Sequence, residues 1–130
     1  MTLFSKIIAG EIPSYKLAEN ARFYAFLDIF PSQPGHTLVV PKIEVDKIFD
    51  LPDTYLDGIL TFAKPIAHAI QEAFGYNRVN IVTIGFEVPH AHIHLVPMDD
   101  MGDADILTKK SKPTPEELTE VQKKILEKMV

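Results

Sequence analysis

The chain has 130 residues, of which 46% are hydrophobic, and its 13 Lys and Arg residues against 18 Asp and Glu residues give a net charge of −5. This length and hydrophobic content predict a single folded domain, and the acidic balance argues against binding to a nucleic-acid backbone or to an anionic membrane surface. The absence of cysteine excludes disulfides, a thiol nucleophile and cysteine-ligated metal sites.

No leader pattern opens the sequence, and no apolar run approaches the roughly 20 residues needed to cross a bilayer. We therefore expect one domain over residues 1–130, located in the cytoplasm, with no membrane or nucleic-acid partner.

The first part of the chain predicts a short helix and a hairpin. Residues 1–19 predict one helical turn followed by a loop, because glycine and proline interrupt a short apolar cluster. Residues 22–27 and 36–40 are rich in aromatic and β-branched residues and predict two strands, joined by a hairpin across 28–35.

The second part predicts a long helix, two strands and a final helix. Apolar residues recur at three- and four-residue steps over 53–74, although Pro65 should kink this helix or remove one of its hydrogen bonds. Residues 78–84 predict a buried strand, and 90–96 alternate as a further strand. A capping box begins the last helix, about 114–129. The order of elements indicates an α+β fold with an antiparallel sheet.

Three histidines, His90, His92 and His94, alternate with apolar residues in the predicted strand 90–96. Because side chains repeat every two residues in a strand, all three imidazoles should project from one face. A purely structural role is unfavourable, since each buried imidazole needs partners for both nitrogens. The residues alone leave two interpretations open: a metal site that Glu87 could complete, or an imidazole nucleophile with its acid and orienting groups.

Three segments, in order, carry a resemblance to a known family. They are FSKIIAGEIP at 4–13, FLDIFP at 26–31 leading into PGHTLVVPK at 34–42, and VPHAHIHLVP at 88–97. With them the chain resembles the histidine triad (HIT) family of nucleotide hydrolases and transferases, and most closely its nucleoside phosphoramidate hydrolases. The resemblance implies a HIT-like fold, with a sheet of about five strands, a long central helix and a C-terminal helix.

The resemblance also implies a reaction on a purine nucleotide through a nucleotidyl-histidine intermediate that releases a nucleoside monophosphate. His92 would attack the α-phosphorus and His94 would hold phosphate oxygens, while His90 and His36 would orient and support the nucleophile. Asp28 would take the ribose hydroxyls. The base pocket would be lined by apolar residues that could equally be core members: Leu3, Phe4, Ile7, Phe26 and Ile29. The family resemblance further implies a homodimer with joined sheets, and no metal or cofactor.

The sequence departs from the family pattern just before the triad, where residues 83–88 form a shortened segment. Gly85 matches the family glycine, but Glu87 stands where relatives have a hydroxyl residue, and Asn80 is the nearest counterpart of a family asparagine. We include Asn80, Gly85, Glu87 and Val88 in the predicted substrate-binding set. Because a carboxylate repels phosphate unless it is paired or protonated, Glu87 could favour an amine leaving group. It could equally point to solvent or pair with Arg78.

Two other functions stay open at this stage. One is dinucleoside polyphosphate hydrolysis, which the acidic residues after the triad disfavour, since Asp99 and Asp100 stand where many relatives have an arginine. The other is a nucleotide-binding regulator with low turnover, which the altered segment 83–88 would permit.

Overall fold

In the computed structural model, which describes residues 1–129, five strands and three α-helices form an α+β fold. Two short 3₁₀ segments, Ile48–Asp50 and Met101–Ala104, complete it. The elements are α1 (Leu3–Ile8), β1 (Lys16–Glu19), β2 (Phe23–Leu27), β3 (Thr37–Pro41), α2 (Asp53–Phe74), β4 (Arg78–Val82), β5 (Ile93–Met98) and α3 (Pro115–Lys128). The strands form one sheet in the order β1-β2-β3-β5-β4, and every neighbouring pair is antiparallel. The predicted fold class is confirmed.

The two faces of the sheet bury different sets of residues. Because side chains alternate along a strand, Val39 and Ile93 turn to one face and pack with residues of α2, where Ile66 is fully buried. Leu38 turns to the other face, where Phe4 of α1 packs with it in a second cluster. The sheet is therefore covered by α2 on one side, and its opposite side carries the small helix α1.

The helices begin and end near their predicted positions. α2 runs without interruption through Pro65 and ends at Phe74, and the next residue, Gly75, caps it with a φ of 74°, the left-handed conformation that glycine adopts without strain. At the start of α3, the Thr114 hydroxyl accepts a hydrogen bond from the Glu117 N–H, and the Glu117 side chain accepts one from the Thr114 N–H. This capping box satisfies N–H groups that lack partners within the helix.

Three strand predictions need correction. Residues 16–19, predicted as loop, form the edge strand β1, whose four residues are too few to show a clear hydrophobic alternation. The strand predicted as buried over 78–84 ends at Val82 and lies at the other edge, which leaves Ile81 50% exposed.

The strand predicted over 90–96 begins only at Ile93. A longer pairing with β3 would reach Pro41, which has no N–H to donate to the ladder. Of the three triad histidines, only His94 therefore lies in a strand, and His90 and His92 occupy the irregular segment before it.

Among residues 1–129, no helix is both long and apolar enough to span a bilayer. The last residue of the predicted domain, Val130, lies outside the described residues.

Candidate active site

The hairpin and the β3–β5 pairing bring Asp28, His36 and His94 together. Asp28 follows β2 and His36 precedes β3, and the Asp28 N–H donates to the His36 carbonyl oxygen at 3.0 Å. His94 lies opposite Leu38 in the antiparallel ladder, on the sheet face that carries α1. As a result, one ligand atom from each of the three side chains lies within 4.8 Å of the others.

A chain of hydrogen bonds fixes the proton positions of His36 and His94. The Ser32 N–H donates to His36 Nδ1 at 3.1 Å, so this nitrogen is an acceptor and the ring proton of neutral His36 sits on Nε2. His36 Nε2 lies 2.9 Å from His94 Nδ1 and donates to it. The remaining proton of neutral His94 is therefore on Nε2, where it can be donated to a ligand.

His92 is held in the complementary tautomer. Its Nδ1–H donates to the carbonyl oxygen of His90 at 2.8 Å, which leaves the lone pair on Nε2. The Thr83 hydroxyl binds the His92 carbonyl oxygen at 2.8 Å, and the Ala91 N–H donates to the carbonyl of Val45 at 2.7 Å. These bonds hold the irregular segment in place without a strand ladder.

His90 is buried and its ring has no free nitrogen. Nε2 donates to the Pro41 carbonyl oxygen at 2.8 Å, so Nδ1 accepts from the Thr2 hydroxyl at 2.7 Å. The ring of His90 therefore fixes its own backbone, which in turn orients His92. His36, in contrast, is connected to His92 only indirectly, because its hydrogen-bond partner is His94.

Burial favours the neutral form of His36, His92 and His94. It is the main cause that lowers the pKa of His92 and of His36, and it lowers the pKa of His94 to about 3, helped by the neighbouring His36 and His92. A neutral imidazole is the form that can attack phosphorus at physiological pH.

The predicted base-pocket residues divide into buried and exposed members. Phe4, Ile7 and Phe26 belong to the cluster on the active face, where the Phe4 ring lies 4.9 Å from the His92 ring, centroid to centroid. Ile29 and Leu3 are about half exposed, at 50% and 48%. Phe4 thus packs directly against the triad and Phe26 packs against Phe4, while the exposed pair is free to contact a ligand.

The remaining residues of the predicted substrate-binding set, which lie in or just before the shortened segment, are spread more widely. Val88 packs against the Phe4 cluster, and Gly85 adopts a positive φ of 88° in the irregular segment between β4 and the triad. The Asn80 amide, by contrast, contacts the Met98 sulfur at 2.8 Å and pairs with Val96, two residues beyond His94 along β5. The structure therefore does not bring Asn80 into contact with the triad.

Glu87 forms an ion pair that the sequence did not indicate. Its carboxylate lies 3.8 Å from the Lys110 ammonium group, so the pairing with Arg78 is wrong. The interpretation that Glu87 points to solvent is correct in part, since its side chain is 83% exposed.

The cluster of Asp28, His36 and His94 offers a potential metal position. Asp28, His36 and His94 present a carboxylate and two imidazoles, a donor set that suits zinc. However, His36 Nε2 and His94 Nδ1 already share a hydrogen bond. A metal ion bound at either of these two nitrogens would have to replace that bond and reset the tautomers.

Comparison with known proteins now identifies the family. The HIT domain model matches residues 9–101. The adenosine 5'-monophosphoramidase HNT1 of Saccharomyces cerevisiae is 41% identical over 99 residues, which cover 75% of this chain but only 63% of that protein. A hypothetical histidine triad nucleotide-binding protein from Sulfolobus tokodaii superimposes with a TM-score of 0.84 at 25% identity, over 97% of this chain and 90% of that one. A Hit-like protein from Bartonella henselae gives 0.83 at 31% identity, over 98% and 95%. The chain therefore belongs to the HIT domain family.

Proposed function

We propose that this protein hydrolyses purine nucleoside phosphoramidates or related phosphoanhydrides at the α-phosphate and releases a nucleoside monophosphate. The observation that carries this proposal is the tautomer of His92. Its Nδ1–H is bound to the His90 carbonyl, so its Nε2 lone pair is available beside the Nε2–H of His94. A neutral nucleophile next to a hydrogen-bond donor suits attack on an anionic phosphoryl group.

The reaction would proceed in two displacements. The Nε2 lone pair of His92 forms a bond to the α-phosphorus while the bond from phosphorus to the leaving nitrogen breaks. The electron pair of that bond stays on the nitrogen, which takes a proton from water. A water molecule then attacks the phosphorus, the N–P bond returns its electron pair to His92, and the water proton passes to solvent. His94 Nε2–H would donate to a non-bridging phosphate oxygen in both steps.

Asp28 and the exposed apolar residues would position the nucleoside. The Asp28 side chain is partly exposed, and its Oδ2 lies 3.8 Å from His36 Nε2, within reach of the same substrate as the triad. A carboxylate accepts hydrogen bonds from two ribose hydroxyls. Ile29, one residue further, would contact the base.

The relatives favour this activity over the other two candidates. HNT1 of Saccharomyces cerevisiae and its counterparts in Candida albicans and Schizosaccharomyces pombe, at 40–41% identity, are named adenosine 5'-monophosphoramidases. The tautomer of His92 favours a catalyst over a nucleotide-binding regulator, because binding alone needs no free imidazole lone pair.

The test is a single-turnover reaction with adenosine 5′-phosphoramidate, followed by intact-mass spectrometry and by chromatography of AMP. We expect a transient adduct of one adenylyl group per chain, followed by AMP release. Binding of AMP without an adduct or any release would contradict the proposal and support the regulator. Faster cleavage of a diadenosine polyphosphate would support the other hydrolase.

We also propose that the protein forms a homodimer through the β4 edge of its sheet. Ile81 on β4 and Leu60 on α2 are 50% and 53% exposed, and β4 has an unpaired edge in the single chain. Ile81→Asp should shift the mass measured by multi-angle light scattering from dimer towards monomer. Leu126→Asp, on α3 near the opposite edge of the sheet, is the matched control. A wild type that is monomeric at micromolar concentration would contradict this assignment.

A further inference from the structure

The segment before α3 is attached directly to the active-site hairpin. Both the N–H and the hydroxyl of Ser111 donate to the carbonyl oxygen of Pro31, at 3.0 and 2.8 Å. Pro31 lies in the connection between Asp28 and His36, so this double hydrogen bond fixes the position of Lys110 relative to the site. None of the three sequence segments that carry the family resemblance includes these residues.

Lys110 and Glu87 form an ion pair between the segment before α3 and the segment before the triad. Glu87 belongs to the segment that leads into His90 and His92, whereas Lys110 approaches from the hairpin side. Their charged groups lie 3.8 Å apart, and the side chain of Lys110 is 46% exposed and that of Glu87 83%. An ion pair this open to water is weak, so a ligand anion can separate it at little cost.

The charges of Lys110 and Glu87 affect the pKa values of the imidazoles. Burial is the main cause of the lowered pKa values of His36 and His94, and the positive charge of Lys110 lowers them further. The negative charge of Glu87 acts on His92 in the opposite direction, although burial outweighs it. The bonds from Ser111 to Pro31 likewise place Lys110 near the connection that carries His36, the partner of His94.

We propose that Lys110 is a phosphate-binding residue of this site. When the nucleotide enters, the ammonium group of Lys110 breaks its ion pair with Glu87 and binds the α-phosphate. This inference rests on the proposed function and extends it. The ion pair explains how a carboxylate can stand beside a phosphate site, because Lys110 neutralises Glu87 until the substrate arrives. Once Lys110 has moved, the free carboxylate of Glu87 favours a leaving group that carries positive charge, such as an amine.

Calorimetric titration with AMP and with adenosine, together with turnover of adenosine 5′-phosphoramidate, tests the inference. Lys110→Gln should weaken AMP binding roughly tenfold, as expected for the loss of a charge-assisted contact, and leave adenosine binding unchanged. Lys110→Arg should restore most of the affinity. Glu87→Gln should tighten AMP binding severalfold, because the competing carboxylate is gone.

Lys109→Gln is the matched control. It removes the same charge one residue away, where the lysine lies near Asp103 and Asp105 instead of the histidines. Its AMP affinity should equal that of the wild type. The AMP dissociation constant should also rise with salt more steeply in the wild type than in Lys110→Gln.

The outcomes separate this inference from the proposed function. Equal AMP affinity in Lys110→Gln and the wild type, with turnover present, would overturn the role of Lys110 alone. If Lys110→Gln binds AMP more weakly and the wild type shows no turnover, the phosphate-binding role of Lys110 is supported and the proposed hydrolase activity is overturned. A wild type that binds no AMP at millimolar concentration would overturn both.

Discussion

His92→Ala is expected to lower kcat/KM for adenosine 5′-phosphoramidate by roughly a thousandfold or more, the usual scale for loss of a covalent nucleophile. The imidazole that would attack phosphorus is the one whose Nε2 lone pair is left free by the bond from Nδ1–H to the His90 carbonyl. No other triad ring can replace it, because His90 uses both nitrogens and His94 presents a proton instead of a lone pair. Steady-state AMP release measures the loss, and intact mass should show no adduct.

The control for this variant is His68→Ala. His68 is the one histidine among residues 1–129 that lies outside the site. It is exposed on α2, so its removal should leave turnover unchanged. AMP should bind His92→Ala with an affinity within a few fold of the wild type, which would show that the pocket is intact. Turnover by His92→Ala at the wild-type rate would exclude His92 as the nucleophile.

The sequence predicted the fold class because its long segments are strongly patterned. The apolar spacing over 53–74 corresponds to α2, and the capping box at Thr114 marks the start of α3. The edge strands were harder to predict for a physical reason. β1 has four residues, and β4 lies at the sheet edge with every residue exposed or only partly buried, so neither has the pattern of a central strand.

The site was predictable where a motif lies within one segment and was missed where tertiary contacts create it. His92 and His94 stand out in the sequence, although the strand argument that grouped them fails before Ile93. Lys110 and Thr2 could not be found, because a lysine in a polar segment and a threonine near the N-terminus carry no local signal. Their roles arise from contacts 23 and 88 residues away in the chain, which only the folded structure shows.

Lowering the pH from 7 to 5 is expected to destabilise the fold markedly. His94 has a folded-state pKa of about 3, against about 6.5 when unfolded, so at pH 5 the unfolded chain binds a proton that the folded chain does not. Its stabilising contribution is therefore complete above pH 6.5 and falls as the pH drops, by up to about 2 kcal/mol at pH 5. The lowered pKa values of His36 and His92 act in the same direction. Because domains are stable by only about 5–15 kcal/mol, the effect should be large.

Urea unfolding at pH 7 and pH 5, at one fixed protein concentration, measures this loss. His94→Asn removes the titrating group but keeps an acceptor for His36. The free energy of unfolding of this variant should therefore fall by about 1–2 kcal/mol less than that of the wild type between the two pH values. His68→Asn, on the exposed face of α2, should lose as much as the wild type. The carboxylates with lowered pKa values, such as Glu44 and Asp103, titrate below this window and cannot produce the difference. Equal losses in His94→Asn and the wild type would show that His94 is not held neutral by the fold, which would also contradict the assignment of His94 Nδ1 as an acceptor from His36.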